Sequence, residues 1–507
     1  MGLYDLTIYD VIQRNARCFK KRPAWLEVSD GRELTFGQIK DMVDHLAKGL
    51  QDLGLSKGDV IGVVGKNSLE YFLLYGAASA LGLIVLAINW RLSADEAGNN
   101  LKDAAPKAVF ADSEFQELIS GLKGKMTSVE KYYNLAGKGG SFENFGKLLD
   151  NKADFNPPEV STDDGFVIIH TAAVSGKPRG ALLSNGNIIF ETAQLGLIYK
   201  TTNKDIHLNL LPLFHVGGLV IAMTAFHAGA LNINMDRFDP DQAVDLIQDK
   251  KVSMIVDFAP ILASILDSRE KSGKDINSLR LVFGLDSPET IEKYQKLSGG
   301  EFFPAYGQTE TSCLISVAPY NERPGSIGSP LPLADVRLVD DYDKEVETGQ
   351  VGEIVVRGPM VFKGYWNLPE ETEYTFREGW HHTGDQGRFD EDGFLWYAGH
   401  KAEKELIKPG GENVYPAEVE KVILQNPAVE RTVVIGVPDP KWGEGVKAVC
   451  KLKEGQRLEP QELIDFVGER IARFKKPQYV EFITDFPTLD NGSPDRAKIK
   501  ELYGGEQ

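Results

Sequence analysis

The chain has 507 residues, of which 42% are hydrophobic and 26% are charged, and its formal net charge is −18 at pH 7. This length and composition predict a soluble globular protein with two or more domains and a large buried core. The acidic balance argues against a nucleic-acid-binding role, because binding to a phosphate backbone needs a basic face. A single phosphorylated small molecule needs only a local basic loop.

The cysteines and the apolar segments bear on the compartment. Cys18, Cys313 and Cys450 are odd in number and far apart, which fits reduced thiols better than disulfides. The first residues, MGLYDLTIYDVIQ, contain no long apolar region, so we expect no signal peptide. The longest apolar segment, residues 71–88, is interrupted by glycine and serine, so we expect no transmembrane segment. We therefore predict a cytoplasmic protein.

The first third of the chain alternates between helical and strand patterns. Thr35 and Gln38 form a predicted capping box before apolar residues at helical spacing. Apolar strands are predicted at residues 60–64 and 84–88, with a helix at residues 68–81 between them. This βαβ unit is typical of a parallel sheet covered by helices. The same alternation returns at residues 241–257 and 279–283.

A basic glycine-bounded turn lies in the middle of the N-terminal half. An apolar strand at residues 165–169 precedes the stretch HTAAVSGKPRGALLSNGN, in which Ser184 or Asn185 can cap a following helix. Glycine lets backbone N–H groups approach an anion, Lys177 or Arg179 offsets its charge, and a helix N-terminus adds a favourable dipole. The turn is thus a candidate phosphate loop, although an ordinary surface turn has a similar composition.

The C-terminal third has its own organisation. Residues 324–364 contain short β-rich pieces between glycine and proline, which predict a small antiparallel barrel or sheet. After Gly399 the predicted elements are helix 417–425, strand 431–437, strand 446–452, helix 460–474 and strand 479–484. We predict an α/β fold with a large N-terminal domain of doubly wound sheets, residues 1–398, that includes the barrel-like part. A small mobile α+β domain follows at residues 399–507.

Four further motifs follow the candidate phosphate loop in a fixed order. They are PLFHVGG (212–218), AYGQTE (305–310), HTGD (382–385) and GGENVYPAEVE (410–420). Alone, His215 reads as a core histidine, Glu310 as a helix-start charge and Asp385 as a turn former. Together and in this order, the motifs resemble those of the adenylate-forming (AMP-binding) superfamily of acyl- and aryl-CoA synthetases. The resemblance extends from residue 35 to residue 502.

The resemblance implies an ATP-dependent, AMP-forming carboxylic acid:CoA ligase that acts through an acyl-adenylate. ATP, Mg²⁺ and coenzyme A are the implied cofactors, and a small-molecule carboxylic acid is the implied substrate. The candidate wall of the acid pocket is apolar or small, and it suits an acyl tail or an aromatic ring: Leu211, Phe214, Val216, Phe258, Ser312 and Cys313. The sequence leaves the chain length of the acid and the oligomeric state open, a homodimer included.

The resemblance also assigns roles to single residues. The implied phosphate loop comprises Thr171, Ser175, Gly176, Lys177 and Arg179. The implied nucleotide-binding residues are Gly284, Tyr306, Gly307, Gln308, Asp385 and His400, with Tyr306 beside adenine and Asp385 on the ribose hydroxyls. The implied catalytic residues are His215, Thr309 and Glu310, with Glu310 also the ligand of Mg²⁺. Gly411 belongs to a loop, residues 410–413, that faces the site during thiol transfer.

Three departures from the family pattern fall on catalytic parts. Residues 172–174 of the phosphate loop are Ala-Ala-Val in place of hydroxyl and glycine residues, and His400 replaces an arginine. Ser493 stands where the family has the lysine that bridges carboxylate and α-phosphate. Lys404, Lys408 and Lys498 are candidate substitutes. These departures keep two alternatives open: an adenylation-impaired relative that binds nucleotide, acyl-adenylate or CoA, and a ligase that loads an acyl carrier protein.

Overall fold

The computed structural model describes residues 3, 5–136, 139–150, 154–171, 178–401, 406–488 and 494–505. The α-helices of this part of the chain are α1 (Ile8–Cys18), α2 (Phe36–Asp52), α3 (Leu69–Leu81), α4 (Ala94–Ala104), α5 (Gln116–Leu122), α6 (Gly146–Leu149), α7 (Asn185–Ile198), α8 (Val216–Ala228), α9 (Pro240–Lys250), α10 (Ile261–Ser272), α11 (Pro288–Ser298), α12 (Pro369–Thr375), α13 (Pro416–Ile423), α14 (Pro460–Gly468) and α15 (Arg496–Tyr503).

The strands are β1 (Pro23–Glu27), β2 (Glu33–Thr35), β3 (Val60–Val64), β4 (Ile84–Ile88), β5 (Ala108–Ala111), β6 (Lys131–Asn134), β7 (Glu143–Asn144), β8 (Gly165–Thr171), β9 (Arg179–Ser184), β10 (Ile206–Asn209), β11 (Leu231–Asn234), β12 (Met254–Phe258), β13 (Leu281–Leu285), β14 (Glu301–Tyr306), β15 (Ser316–Val317), β16 (Ser329–Pro330), β17 (Asp335–Val339), β18 (Gly352–Arg357), β19 (Gly364–Tyr365), β20 (His381–Phe389), β21 (Leu395–His400), β22 (Val429–Asp439), β23 (Gly443–Leu452) and β24 (Tyr479–Phe482).

Two large sheets form the body of the N-terminal part. One has the order β19-β9-β8-β4-β3-β5-β6-β7 and the other the order β16-β15-β14-β13-β12-β10-β11-β1-β2. The central strands of both sheets are parallel. Helices α3 and α8 are apolar on all sides and almost wholly buried between the sheets, as expected for helices that pack on both faces. The predicted α/β class with doubly wound sheets is confirmed.

The local signals for helix boundaries are also confirmed. The Thr35 hydroxyl accepts a hydrogen bond from the Gln38 N–H, and the Gln38 side chain accepts one from the Thr35 N–H. Ser184 and Asn187 form the same reciprocal pair at the start of α7, whereas at the start of α3 the Ser68 hydroxyl only accepts from the Tyr71 N–H. Helix α3 ends at Gly82, which has φ +70°, a conformation that suits glycine.

One expectation about the candidate phosphate loop is wrong. The strand–turn–helix pattern predicted that a helix N-terminus faces the loop. Instead, Arg179 starts β9, which runs back antiparallel to β8 in the register Thr171↔Arg179. Helix α7 therefore starts at the far end of a six-residue strand, about 20 Å from the turn. Its dipole cannot act on an anion held there. Residues 172–177 lie outside the described part of the chain.

The C-terminal third contains two smaller sheets. Strands β17, β18, β20 and β21 form an antiparallel four-stranded sheet, and β22, β23 and β24 form a separate three-stranded sheet. The three-stranded sheet has its own apolar core with α13 and α14. We call this part, residues 406–488 and 494–505, the C-terminal unit. Helix α14 ends at Gly468, earlier than the predicted helix 460–474. The boundary after residue 398 stays a prediction.

Two further observations concern membrane-spanning helices and the cysteines. Within the part of the chain that the structure describes, no helix is long and apolar enough to cross a membrane. The cysteines are free thiols: Cys18 is exposed, whereas Cys313 and Cys450 are buried.

Candidate active site

A cavity of about 390 Å³ lies at the carboxyl ends of three parallel strands. Phe258 ends β12, Leu285 ends β13 and Tyr306 ends β14, and all three residues line it. Ligand sites of parallel sheets lie at this edge, because the strand ends and the following loops project there. The C-terminal unit closes the cavity from the other side with residues that include Gly411 and Trp442.

The structure brings most of the predicted site residues to this cavity. Its lining includes Thr171, Arg179, His215, Tyr306, Gly307, Gln308, Thr309, Glu310, Asp385 and Gly411. Gly284 and His400 are next to lining residues. Ser175, Gly176, Lys177 and Ser493 lie outside the described residues. Of the predicted acid-pocket wall, Val216, Phe258 and Cys313 line the cavity.

Glu310 is a buried carboxylate of the cavity that two side chains hold in place. Its side chain is buried in a short 3-10 helix, Thr309–Thr311, that follows β14. Its Oε1 atom accepts hydrogen bonds from the Thr171 hydroxyl at 3.1 Å and from the Tyr365 hydroxyl at 2.9 Å. Both donors use Oε1, and among the described residues none is recorded on Oε2. One carboxylate oxygen is thus available for a cation or a ligand hydroxyl.

Arg179 supplies positive charge beside Glu310. Its guanidinium lies 4.0 Å from the centre of the Tyr365 ring, which is a cation–π geometry. Its Nε atom is buried and has no hydrogen-bond partner among the described residues. A buried N–H of a permanent cation is costly without an acceptor. An oxyanion of a bound phosphate would satisfy it, so this residue fits an anionic ligand.

Asp385, to which the motif assigns the ribose hydroxyls, lines the cavity. The Tyr306 hydroxyl donates to its Oδ2 atom at 2.6 Å, and the Gln308 amide donates to the same atom at 3.3 Å. The Nδ1 atom of His400 pairs with Oδ1. Burial and the neighbouring Asp385 hold the pKa of the Tyr306 hydroxyl well above its usual range, so Tyr306 stays a donor. These contacts fix the carboxylate in one orientation.

His215 is another lining residue of the cavity. It is the N-cap of α8, and its Nδ1 atom accepts a hydrogen bond from the Gly217 N–H at 3.2 Å. The ring proton of the neutral form is therefore on Nε2. Burial, with a smaller contribution from the nearby Arg91, lowers the pKa of His215, while Glu412 opposes this. The imidazole is thus neutral at physiological pH.

Two glycines at or next to the cavity wall allow two backbone segments to approach each other closely. Gly284 has φ +143°, and a Cβ atom there would lie 1.8 Å from the carbonyl oxygen of Asp257. A Cβ atom on Gly307 would lie 1.9 Å from the carbonyl oxygen of Cys313. Any larger residue would force the strands apart.

A second, narrower cavity of about 90 Å³ adjoins the first. The residues that line both cavities are Thr171, His215, Thr309 and Asn413. The remaining wall of the second cavity comes from both parts of the chain, with Asn89 and Glu96 on one side and Phe474 and Lys475 on the other. The two cavities thus meet at these four shared residues.

The loop at residues 410–413 holds the C-terminal unit against the cavity. Gly411 lies against the Phe258 ring. A Cβ atom added to Gly411 would be 3.4 Å from the nearest carbon of that ring. Glu412 pairs with Arg91 at 3.4 Å and accepts a hydrogen bond from Asn89 at 3.3 Å. Arg91 in turn lies 4.2 Å over the Trp90 ring.

The candidate substitutes for the missing lysine are distributed unequally. Lys408 lines the larger cavity, and its backbone N–H donates to Glu444. Lys498 is paired with Glu501 at 2.7 Å and is not among the lining residues. Lys404 lies outside the described residues.

Sequence reasoning missed Tyr365 and Lys475. Tyr365 joins Glu310 to Arg179, and the only local signal was an aromatic pair after Gly364. Lys475 is an almost fully buried lysine, and no pattern in the sequence distinguishes it from the exposed lysines around it.

The residues present fit Mg²⁺ as a partner of a phosphorylated substrate. Among the described residues, no group of three or more His, Cys, Asp or Glu side chains could hold a metal ion by itself. Mg²⁺ is commonly bound by one or two carboxylates together with substrate phosphates. The Oε2 atom of Glu310, with Arg179 nearby for the phosphate, is suited to that mode.

Comparisons with known proteins identify the family of the chain. The AMP-binding enzyme family matches residues 12–366, and the AMP-binding enzyme C-terminal domain matches residues 418–492. An indoleacetate–CoA ligase of Aromatoleum aromaticum is 32% identical, and the alignment covers 93% of each chain. A feruloyl-CoA synthase of an Amycolatopsis species is 31% identical over 94% of this chain and 95% of its own.

The fold has a counterpart among solved structures. An o-succinylbenzoate CoA synthetase variant of Bacillus subtilis, bound to a product analogue, aligns with a TM-score of 0.85 at 27% identity. The alignment covers 98% of this chain and 99% of that one. The chain belongs to the AMP-binding enzyme family. It is an AMP-forming acid–thiol ligase that uses ATP and CoA.

Proposed function

We propose that the protein converts a compact, apolar carboxylic acid, an aryl acid above all, into its CoA thioester in two steps at this one site. In the first step a carboxylate oxygen attacks the α-phosphorus of ATP, and pyrophosphate leaves. In the second, the CoA sulfur attacks the acyl carbonyl carbon, AMP leaves with the bonding electron pair, and the thiol proton is released. The observation that carries this proposal is the meeting of two cavities at Thr171, His215, Thr309 and Asn413.

The size of the larger cavity supports a compact acid. Its volume of about 390 Å³ is at the low end of the roughly 300–1,000 Å³ of ligand pockets, and a nucleotide must occupy part of it. The acid end is formed by apolar or small residues, among them Val216, Phe258 and Cys313. Indole and cinnamic rings, the acid groups in the names of two relatives, are of this size and polarity.

Arg179 and Glu310 are the proposed groups for the phosphates. The buried Nε atom of Arg179 would donate to a phosphate oxygen, which balances its charge and orients the leaving pyrophosphate. The Oε2 atom of Glu310 would hold Mg²⁺, and Thr309 lies beside it on the same turn. Mg²⁺ supplies stabilisation of the negative charge that develops on the phosphates.

Asp385 and Tyr306 are the proposed nucleoside-binding pair. A carboxylate can accept hydrogen bonds from both ribose hydroxyls, and the donors on Asp385 hold its orientation. The Tyr306 ring ends β14 at the cavity wall, where an adenine ring can lie against it. Gly284 and Gly307 let the backbone around the proposed base site pack closely against the carbonyl groups of Asp257 and Cys313.

The smaller cavity is the proposed route of the CoA thiol. It is narrow, and it opens to the larger cavity at His215. A neutral His215 with its proton on Nε2 is a donor toward the acyl carbonyl or the thiol sulfur. The arrangement of the C-terminal unit, with Gly411 at the cavity, is the one that the motif predicts for thiol transfer.

The decisive experiment measures the two steps separately. Acid-dependent exchange of labelled pyrophosphate into ATP reports the first step, and AMP formation with CoA reports the whole reaction. The panel comprises arylacetic, cinnamic, short-chain, medium-chain and long-chain acids. We expect exchange with aryl acids, and a preference for long-chain acids would contradict the proposed substrate class.

The substitution Ser493→Lys tests the adenylation-impaired alternative in the same assay. A sharp rise in exchange over an almost silent parent would favour that alternative. Exchange by the parent at a rate that the lysine does not raise would count against it. Comparison of free CoA with a pantetheinylated carrier protein as acceptor separates the carrier-loading alternative.

A further inference from the structure

A lysine is buried where the C-terminal unit meets the N-terminal part. The Nζ atom of Lys475 lies 2.7 Å from Oε1 of Glu96 and 2.6 Å from Oε2 of Glu418. Only 5% of the lysine side chain is exposed. Burial of an ammonium group is unfavourable unless carboxylates pair with it closely. Two carboxylates, those of Glu96 and Glu418, pair closely with the Lys475 ammonium group.

The two carboxylates belong to different parts of the molecule. Glu418 is in α13, so its pair with Lys475 lies within the C-terminal unit and does not depend on how that unit is docked. Glu96 is in α4 of the N-terminal part, so its pair with Lys475 exists only in this arrangement. The Ala472 N–H also donates to Oε2 of Glu96, at 3.0 Å. One glutamate thus receives two bonds across the interface.

The Glu96 side chain is held in place by its own helix. It forms a capping box with Ser93, whose N–H and hydroxyl donate to Oε2 at 2.9 Å and 2.7 Å. Its carboxylate is therefore oriented before the C-terminal unit docks. Docking costs little side-chain entropy on this side of the pair, which makes the contact more favourable.

We propose that Glu96 is a positioning residue that selects the thiol-transfer arrangement of the C-terminal unit through its contact with Lys475. The inference rests on the proposed function, because it assigns this arrangement to the second step. Glu96 lines the smaller cavity, the proposed route of the CoA thiol, and not the larger cavity, where the acid and the nucleotide meet. It acts on the rate of thioester formation by holding Gly411 and Glu412 where they close the site.

The first test separates the two steps in the full-length protein. The variant Glu96→Gln keeps an acceptor for Ser93 and removes the charge that faces Lys475. We expect pyrophosphate exchange to stay within about twofold of the parent, while the transfer of a preformed acyl group to CoA slows about tenfold or more. The loss appears in kcat at saturating CoA. A rise in the KM for CoA alone would indicate that these groups merely contact the thiol substrate, and would overturn the proposal.

A matched control uses the neighbouring residue. Asp95 is in the first turn of the same helix, is 84% exposed and does not contact the C-terminal unit. The variant Asp95→Asn removes the same charge, and we expect it to leave both steps unchanged. The variants Lys475→Met and Lys475→Arg test the other partner. The arginine variant should retain more of the transfer rate, because it keeps the charge.

A distance measurement tests the contact without any reaction. Spin labels at Lys102→Cys in α4 and Gln461→Cys in α14, in a Cys18→Ser background, report the docking of the C-terminal unit. We expect one main distance in the parent and a loss of that population in Glu96→Gln. An unchanged distance distribution would overturn the proposal even if the protein proved inactive. Absence of pyrophosphate exchange in the parent would instead contradict the proposed function.

Discussion

The hydroxyl of Thr171 and the carboxylate of Glu310 are joined by a hydrogen bond of 3.1 Å, although the two residues are 139 positions apart in the chain. Thr171 ends β8 in one large sheet, and Glu310 follows β14 in the other. This contact therefore links the two sheets at the cavity. It uses one carboxylate oxygen of Glu310 and directs the other away from the bond, toward the space where we place the phosphates and Mg²⁺.

We predict that Glu310→Gln abolishes most of the first step. An amide has the same shape and still accepts from Thr171 and Tyr365, but it is a poor ligand for Mg²⁺. Pyrophosphate exchange should fall about 10²–10³-fold, as for loss of other groups that stabilise transition-state charge. The thermal unfolding midpoint should change little. An exposed glutamate nearby, Glu322, serves as control in Glu322→Gln, and equal losses in both variants would contradict the assigned role.

We predict that Asp385→Asn weakens ATP binding. The substitution removes the charge that pairs with His400, and the new amide N–H₂ cannot accept from a ribose hydroxyl. Loss of one or two charge-assisted hydrogen bonds should raise the KM for ATP about 10- to 100-fold. Isothermal titration with a nonhydrolysable ATP analogue checks this directly. Glu391→Gln, an exposed change in the adjoining hairpin, should leave the affinity unaltered.

Gly284 and Gly196 form a matched pair for a test of backbone strain. In Gly284→Ala the new methyl group meets the Asp257 carbonyl in a conformation with φ +143°. We expect a loss in the free energy of unfolding of about 2–3 kcal/mol or more, together with loss of ATP binding. Gly196 lies in α7 with open space around it, and Gly196→Ala should stabilise the helix by about 0.5–1 kcal/mol. Urea unfolding measures both, and equal effects would contradict the strain argument.

The stability of the N-terminal part should depend on the protonation of Glu27. This buried carboxyl group accepts hydrogen bonds from Trp25, Leu69 and Asn234, yet burial raises its pKa from 4.5 to about 7. A carboxyl group whose pKa is higher in the folded state contributes stability below its unfolded pKa. That contribution is lost as the pH rises through about 7.

The substitution Glu27→Gln isolates this effect. The amide resembles the protonated acid, so the variant and the parent should have similar stability at about pH 5. At about pH 8 the variant should be more stable than the parent, by up to about 3 kcal/mol. Urea unfolding at both pH values measures the difference. A difference between variant and parent that does not change with pH would show that Glu27 titrates normally.

The fold was largely predictable because apolar periodicity is local. Strands 60–64 and 84–88 have the predicted bounds, and the predicted capping residues Thr35 and Ser184 cap α2 and α7. Strand β9 was missed, since RGALLS follows a basic turn and its pairing with β8 is a tertiary contact. The same six residues read equally well as the approach to a helix.

The candidate site was predictable only as far as short motifs reach. His215, Glu310 and Asp385 each lie in a motif, and the structure brings all three to one cavity. Their partners could not be read from the chain. Tyr365 contacts Glu310 from 55 positions away, and Lys475 finds Glu96 from 379 positions away. Contacts of this kind depend on how sheets and units pack, which local spacing does not encode.

His215 provides the last prediction, because its ring lines both cavities where they meet. The substitution His215→Ala removes the ring and widens this junction, so water gains access to the acyl-adenylate. We expect AMP release in the absence of CoA to rise about tenfold and thioester yield to fall accordingly. The alanine also removes the N-cap of α8, at a cost of about 1 kcal/mol. His215→Asn keeps a capping side chain, but asparagine is smaller than histidine. This variant should therefore show the raised AMP release without the loss of stability. If AMP release without CoA stays at the parent level in both variants, His215 is a structural cap and other residues keep water from the acyl-adenylate.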